Sequence, residues 1–182
     1  MQQLKDIFQQ GSTDIYRWPD CATPMIDKIN ALKPNAVIDL GCGANLYKKW
    51  IDNLVGLDIA TNEADINGLI EDLPFNDNSA DVVLALGSIN FGSEDLIRKQ
   101  LDEVKRITKT GGHIFFRVMC EHKHELYYPW NEKKAKQFAK EYEFKFIDGP
   151  RVIYKTIWET REETVGTEEQ KGCTGYGRIK SI

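Results

Sequence analysis

Apolar and polar positions along this chain fall into short blocks whose period changes from one to the next. Ala36-Val-Ile-Asp-Leu40 is apolar but for one acid, and Asp81-Val-Val-Leu-Ala-Leu86 is apolar almost throughout, the pattern of strands buried on both faces. Leu54-Val-Gly-Leu-Asp-Ile59 and His113-Ile-Phe-Phe-Arg-Val-Met119 read as two more strands, with a short one, weakened by Gly68, over Ile66 to Ile70. The period lengthens at Leu96, Ile97, Leu101, Val104 and Ile107, which line one face of a helix. Ser93 is placed to cap that helix, Glu94 and Asp95 suit its first turn, Lys105, Arg106 and Lys109 crowd its end, and Gly111-Gly112 is expected to stop it.

Shorter helices are expected over residues 22–32, around Leu46 to Ile51, and over residues 132–140. Phe144-Lys-Phe-Ile147 and Val152 to Trp158 read as separate strands divided by Gly149-Pro150, and Gly172 to Ile182 as a last strand, so the C-terminus is expected to form an antiparallel hairpin with a charged tip. Strands that alternate with helices through residue 147 imply an α/β fold with a mostly parallel sheet, covered on both faces. Such sheets take ligands beyond the carboxyl ends of their strands, which directs attention to the segments after Leu40, Asp58 and Leu86. One domain is expected, with 1–33 a helical approach, 34–120 the core and 121–182 the C-terminal part of the sheet.

Composition narrows the picture. At 182 residues, with 41% hydrophobic and 29% charged, the chain fits a globular protein with a sizeable core, and no apolar run approaches the length of a membrane helix. The start, Met1-Gln-Gln-Leu-Lys-Asp6, is too polar for a secretory signal, so a cytoplasmic location and no membrane partner are expected. Cys21, Cys42, Cys120 and Cys173 are far apart and read as free thiols, neither a zinc spacing nor a disulfide framework. The net charge of −4 resides largely between Glu159 and Glu169, where five Glu face only Arg161. No broad basic footprint remains, and duplex DNA is not an expected partner.

One segment carries chemistry. Val37-Ile-Asp-Leu-Gly-Cys-Gly-Ala-Asn45 ends a strand in a Gly-x-Gly turn, and a second acid, Asp58, closes the next strand 17 residues beyond Gly41. Glycines at 41 and 43 let the backbone pass close beneath a flat nucleoside, and a carboxylate at a strand end can accept both hydroxyls of a ribose. A dinucleotide fingerprint needs a third glycine where this chain has Leu46, and the short helix that follows offers little seat for a pyrophosphate.

Together with Glu71-Asp-Leu-Pro-Phe75 and Asp81-Val-Val-Leu84, this segment resembles the class I methyltransferases that use S-adenosylmethionine, from about Ala36 to Val118. The resemblance implies a Rossmann-like seven-stranded sheet ending in the antiparallel hairpin. It implies S-adenosylmethionine as cofactor, with Asp39, Gly41, Cys42, Gly43, Asp58, Ile59, Asp72, Leu73 and Gly87 as its contacts. The adenine-binding acid of many relatives aligns here with Leu69, and of the acids nearby, Asp65, Glu71 and Asp72, the last is favoured. The resemblance implies no fixed catalytic residue; Asn90 and His122 are the candidates.

His122 and His124, two residues apart, would face opposite sides of an extended strand, and no metal is expected. Tyr127 to Trp130, with Tyr16 and Trp18, are candidates for the wall of an acceptor pocket. The Asn/Asp-Pro-Pro-aromatic and Pro-Cys segments of DNA-directed relatives are missing, so the expected acceptor is a small molecule, with a protein or RNA feature as the next choice. A non-catalytic S-adenosylmethionine-binding module or subunit of a larger assembly is the alternative function.

Overall fold

The computed structural model describes residues 19–119, 125–154 and 171–179, with side chains described for 25–118 and 125–144. In chain order the elements are α1 (Pro19–Ala31), β1 (Val37–Leu40), a 3-10 turn (Leu46–Lys49), β2 (Leu54–Asp58), β3 (Ile66–Asn67) and β4 (Ala80–Leu86). Then come α2 (Glu94–Ile107), β5 (Thr108–Met119), α3 (Glu132–Glu141), β6 (Phe144–Tyr154) and β7 (Lys171–Ile179). The strands form one sheet in the order β3-β2-β1-β4-β5-β7-β6. β1 to β5 run parallel, while β7 lies antiparallel to both β5 and β6.

The sheet buries both faces, and strand alternation assigns each residue to one of them. Ile38, Leu40, Val83, Ala85, Ile114 and Val118 face the larger core, which α2 closes with Ile97, Leu101 and Val104 and α3 with Phe138. Val37, Val82, Leu84 and Phe115 point the other way, beneath Ile26 and Ile29 of α1 and Ile51. The order reverses at β1, whose neighbours β2 and β4 leave in opposite directions, so the crevice of an open α/β sheet opens above the carboxyl ends of β1 and β4.

The caps of the two helices follow ordinary rules. Ser93 accepts a hydrogen bond from the Leu96 amide at the start of α2, and Asn131 accepts one from the Lys134 amide at 2.9 Å at the start of α3. The glycine pair does not stop α2. That helix ends at Ile107, where Thr108 turns to extended backbone and its hydroxyl donates to the Val104 carbonyl. Gly111, at φ +77°, and Gly112 lie inside β5, in an irregularity where pairing with β4 jumps from Ala80↔Thr108 to Val82↔His113. Extra residues on one strand need backbone angles open to glycine, so the same dipeptide serves a bulge as readily as a helix end.

Two further expectations are corrected. Gly149-Pro150 does not divide two strands: β6 runs through it, shifting register against β7 between Asp148 and Arg151. β3 shrinks to Ile66–Asn67: the Gly68 amide makes its last bond to β2, donating to the Asp58 carbonyl at 3.1 Å, and beyond it Leu69 bridges Asp72.

One clamp fixes the segment after β3. Arg106 donates to the carbonyls of Leu73 at 3.0 Å and Phe75 at 2.7 Å and pairs with Glu103 and Asp77, while Glu103 accepts from the Leu73 amide at 2.8 Å. Lysine has no planar fork to span two carbonyls, so Arg106→Lys keeps the charge and loses the clamp. Charge-assisted bonds are worth up to roughly 1.5–3 kcal/mol each, less where water competes, so a loss of about 2 kcal/mol is expected for Arg106→Leu. A protein of this size should then melt about 4–8 °C lower. Thermal unfolding followed by circular dichroism measures it, and an unchanged midpoint would mean that water replaces the guanidinium at no cost.

Candidate functional site

The crevice is built from three strand ends. After β1 the chain turns at Gly41, φ +70°, whose amide donates to the Leu57 carbonyl at 2.7 Å, and the Cys42 amide shares that carbonyl at 3.1 Å. A methyl group on Gly41 would lie 2.5 Å from Cβ of Ser88, so the loops after β1 and β4 touch at this point. Gly43, φ +54°, donates its amide to Oδ2 of Asp58 at 3.0 Å. Asp58 thus meets the glycine turn directly, and its other oxygen, Oδ1, accepts from the Ala60 amide at 2.7 Å. Each carboxylate oxygen has a second lone-pair direction for a further donor.

Asp39 lies below the turn, 1% exposed, and its Oδ2 has no hydrogen-bond partner in the structure. The buried Ser88 hydroxyl, at the start of the loop after β4, is likewise without one. Burial, and secondarily the Asp58 carboxylate, push the Asp39 carboxyl up to about 7, against the pull of Arg117. Burial and the acids Asp39, Asp58 and Asp65 push the Cys42 thiol up to about 12, so it stays protonated at neutral pH and is no nucleophile.

The structure therefore brings Asp39, Gly41, Cys42, Gly43 and Asp58 to one place. Ile59 follows Asp58 and is half-buried, and Gly87, φ +102°, opens the loop after β4. Leu73 is a core residue, and Asp72 beside it is exposed. The other two acids of that region are directed elsewhere. Asp65 accepts from the Gly56 amide at 2.9 Å and the Asn45 side chain at 3.2 Å and pairs with Lys48, which lowers its pKa. Glu71 accepts from Gln100 on α2 at 3.4 Å.

Asn90 is 1% exposed and donates its amide to the Gly87 carbonyl at 2.9 Å, which closes the turn after β4. His122, with Tyr16, Trp18 and His124, lies outside the described residues. Among those described, no cluster of three or more His, Cys, Asp or Glu is arranged to hold a metal, and no helix is long and apolar enough to cross a membrane.

The aromatic wall divides. Tyr128 and Trp130 belong to the core, 5.0 Å apart edge to face, with the Trp130 indole donating to the Ile89 carbonyl. Their rings are the largest apolar groups of the segment, and the space above α3 takes them in. Tyr127 is half-buried and packs on Phe91 at 4.5 Å, where the segment after β5 bridges the loop after β4. On α3, Lys136 pairs with Glu132 and Lys134 sits 4.4 Å from the Tyr128 ring centre, so part of the basic stripe is engaged within the fold.

Asp65, one of the acids weighed in the sequence, holds the Gly56 amide and the Asn45 side chain. Arg117 is the contributor that sequence reading missed. Arg117 sits inside an apolar strand, where an inward charge was itself the signal: its Nη2 donates to the Leu86 carbonyl at 2.8 Å, beside the Gly87 turn.

Residues 38–116 match the model of a methyltransferase domain. Among curated proteins, an uncharacterized protein of Methanocaldococcus jannaschii is 28% identical over 75% of this chain, and the chain spans 60% of that relative's length. Among solved structures, the fold is similar to a 1,6-didemethyltoxoflavin-N1-methyltransferase from Burkholderia thailandensis, with bound 1,6-didemethyltoxoflavin and S-adenosylhomocysteine. The TM-score there is 0.73 at 12% identity, covering 99% of this chain and 87% of the other. A possible histamine N-methyltransferase from Thermotoga maritima gives 0.69 at 18% identity, covering 97% and 100%. The chain is thus similar to methyltransferase domains in sequence over residues 38–116, and shares its fold with solved methyltransferases over nearly its whole length.

Proposed function

We propose that the protein transfers the methyl group of S-adenosylmethionine to a small-molecule acceptor in the crevice above β1 and β4. The observation that carries this reading is the Gly43-to-Asp58 contact, which fixes a carboxylate against a glycine turn at the switch in strand order. The residues present suit the cofactor: Asp58 offers acceptor oxygens for the ribose hydroxyls, Gly41 to Gly43 a floor without bulky side chains, and Asp39 a buried carboxylate for the cationic end. Ile59, Leu73 and Gly87 would line it, with Asp72 the acid for the adenine amino group.

When bound, S-adenosylmethionine supplies an electrophilic methyl on a sulfonium sulfur, which keeps the C–S electron pair as an incoming nucleophile takes the methyl in line. The chain's residues then need chiefly to align two reactants, an effect worth up to about 7–11 kcal/mol of the barrier. Asn90 holds the turn at Gly87, which forms the side of the crevice nearest the acceptor. His122 is kept as the candidate for taking a proton from an acceptor.

Asp58→Ala tests the reading. Each bond to a charged acceptor is worth roughly 1.5–3 kcal/mol, so loss of two should weaken S-adenosylmethionine binding by at least tenfold in calorimetry. NADH should bind neither form. Unchanged affinity in the variant would reduce Asp58 to a holder of the glycine turn.

A further inference from the structure

β2 and β3 run parallel, yet only residues 59–65 join them, with no helix between. A parallel crossover ordinarily takes about a dozen residues or more. Asp65 closes this short one. Its amide donates to the Gly56 carbonyl at 2.9 Å and its Oδ2 accepts from the Gly56 amide at 2.9 Å, so one residue meets both backbone groups of Gly56. In a regular parallel ladder those two bonds go to different residues of the neighbouring strand; here the carboxylate replaces the acceptor that the shortened β3 lacks.

The same carboxylate reaches the glycine turn. Its Oδ2 also accepts from Nδ2 of Asn45 at 3.2 Å, that Nδ2 donates to the Glu63 carbonyl at 3.1 Å, and Oδ1 of Asp65 pairs with Lys48 of the 3-10 turn. Asn45, 9% exposed, closes the turn after β1 at φ +54°, a left-handed angle that asparagine tolerates better than most residues. It presses on β2: a Cβ on Gly56 would lie 2.5 Å from Oδ1 of Asn45 and 2.8 Å from Sγ of Cys42. That Oδ1 is buried with no hydrogen-bond partner in the structure, which disfavours the arrangement unless the other end of the amide is needed where it is. The glycine turn is thus tied to β2 and its loop twice, by the Gly43 amide on Asp58 and by Asn45 on Asp65 and Glu63.

We propose that Asn45 and Asp65 are positioning residues for the cofactor: they hold the glycine turn against Asp58 before S-adenosylmethionine arrives, and act through Asp58 and not by contact with the ligand. The inference rests on the methyltransferase reading above. With the Asn45 tie cut, the turn is free to leave Asp58, and a ligand that needs both must bring them back together, which lowers its affinity. Where the Asp58 carboxylate is gone, the tie has nothing left to align.

Calorimetric titration of the whole protein with S-adenosylhomocysteine tests this. Asn45→Gly keeps the left-handed angle and the crossover's own bonds but removes the tie, and should weaken binding about fivefold or more, as should Asp65→Ala. Asp65→Asn should stay within about twofold of the unaltered protein, because its amide oxygen can take the place of Oδ2 towards both donors. Added to Asp58→Ala, Asn45→Gly should weaken binding by less than about twofold further. In the ligand-free protein the Gly43 amide should exchange its hydrogen about tenfold faster in Asn45→Gly, while the Leu101 and Val104 amides of α2 keep their rates. Unchanged affinity in Asn45→Gly, a full fivefold loss on top of Asp58→Ala, or equal acceleration at Gly43 and in α2 overturns the proposal. Failure of S-adenosylhomocysteine to bind the unaltered protein overturns the cofactor reading and this inference with it, whereas binding with additive losses overturns this inference alone.

Discussion

Asp39→Asn is expected to make the ligand-free protein more stable and, at the same time, a poorer binder of S-adenosylmethionine. The carboxyl is almost wholly buried, one oxygen has no partner, and its pKa is pushed up to about 7 by burial and by Asp58. In the unfolded chain an aspartate titrates near about 3.9. Between those values the unfolded chain is ionised while the folded protein still holds the proton. Stability therefore falls as pH rises through that window, by up to about 1.4 kcal/mol per unit, and levels off above about pH 7.

Asparagine does not titrate, so the variant gains nothing below about pH 4 and most above pH 7, where the penalty it removes approaches about 4 kcal/mol. Its amide must itself be satisfied, which brings the expected gain to about 2–4 kcal/mol at pH 8. Urea unfolding at pH 5 and pH 8 gives the difference directly, and an equal effect at both would mean that the buried charge is not what the site stores. Cofactor affinity should fall at least tenfold at pH 8, since a fixed anion at the cationic end is lost. A site that spends stability to hold an ionisable group is the pattern expected of a binding site.

How far the sequence reached depended on whether a signal was local. β1 and β4 were legible because four consecutive residues in each are buried, and no amphipathic element produces such a run. α2 was legible because Ser93, Glu94 and Asp95 mark its start and Ile97, Leu101 and Val104 its inner face. Gly111-Gly112 misled because glycine marks any place with unusual backbone angles, and only the pairing of Ala80 with Thr108 shows that the place is a bulge. Arg106 was legible as a cation at a helix end but not as a clamp, since the carbonyls it holds are some thirty residues away. In the crevice, the glycine turn and Asp58 belong to one contiguous pattern. Asp65 and Arg117 act through contacts set by tertiary structure, and neither belongs to a recurring spacing.

Gly41→Ala is expected to be the most damaging single substitution in the glycine turn. At φ +70° an L side chain costs about 1–2 kcal/mol. The added methyl would also lie 2.5 Å from Cβ and 3.5 Å from Cα of Ser88, so relief requires the backbone after β4 to move, not merely a side chain to turn. Overpacking of that kind typically costs about 1–3 kcal/mol, and the two together give a loss of about 3 kcal/mol in urea unfolding. S-adenosylmethionine affinity should drop more than tenfold, because the two loops forced apart form opposite sides of the proposed crevice. Ser88→Gly separates the causes: it removes the clashing Cβ and leaves the backbone strain untouched. In a double-mutant cycle, Gly41→Ala and Ser88→Gly should therefore couple by about 1–2 kcal/mol, with the double variant more stable than the sum of the singles predicts. Strict additivity would mean that the loops after β1 and β4 do not press on each other, and that the damage of Gly41→Ala arises from backbone angle alone.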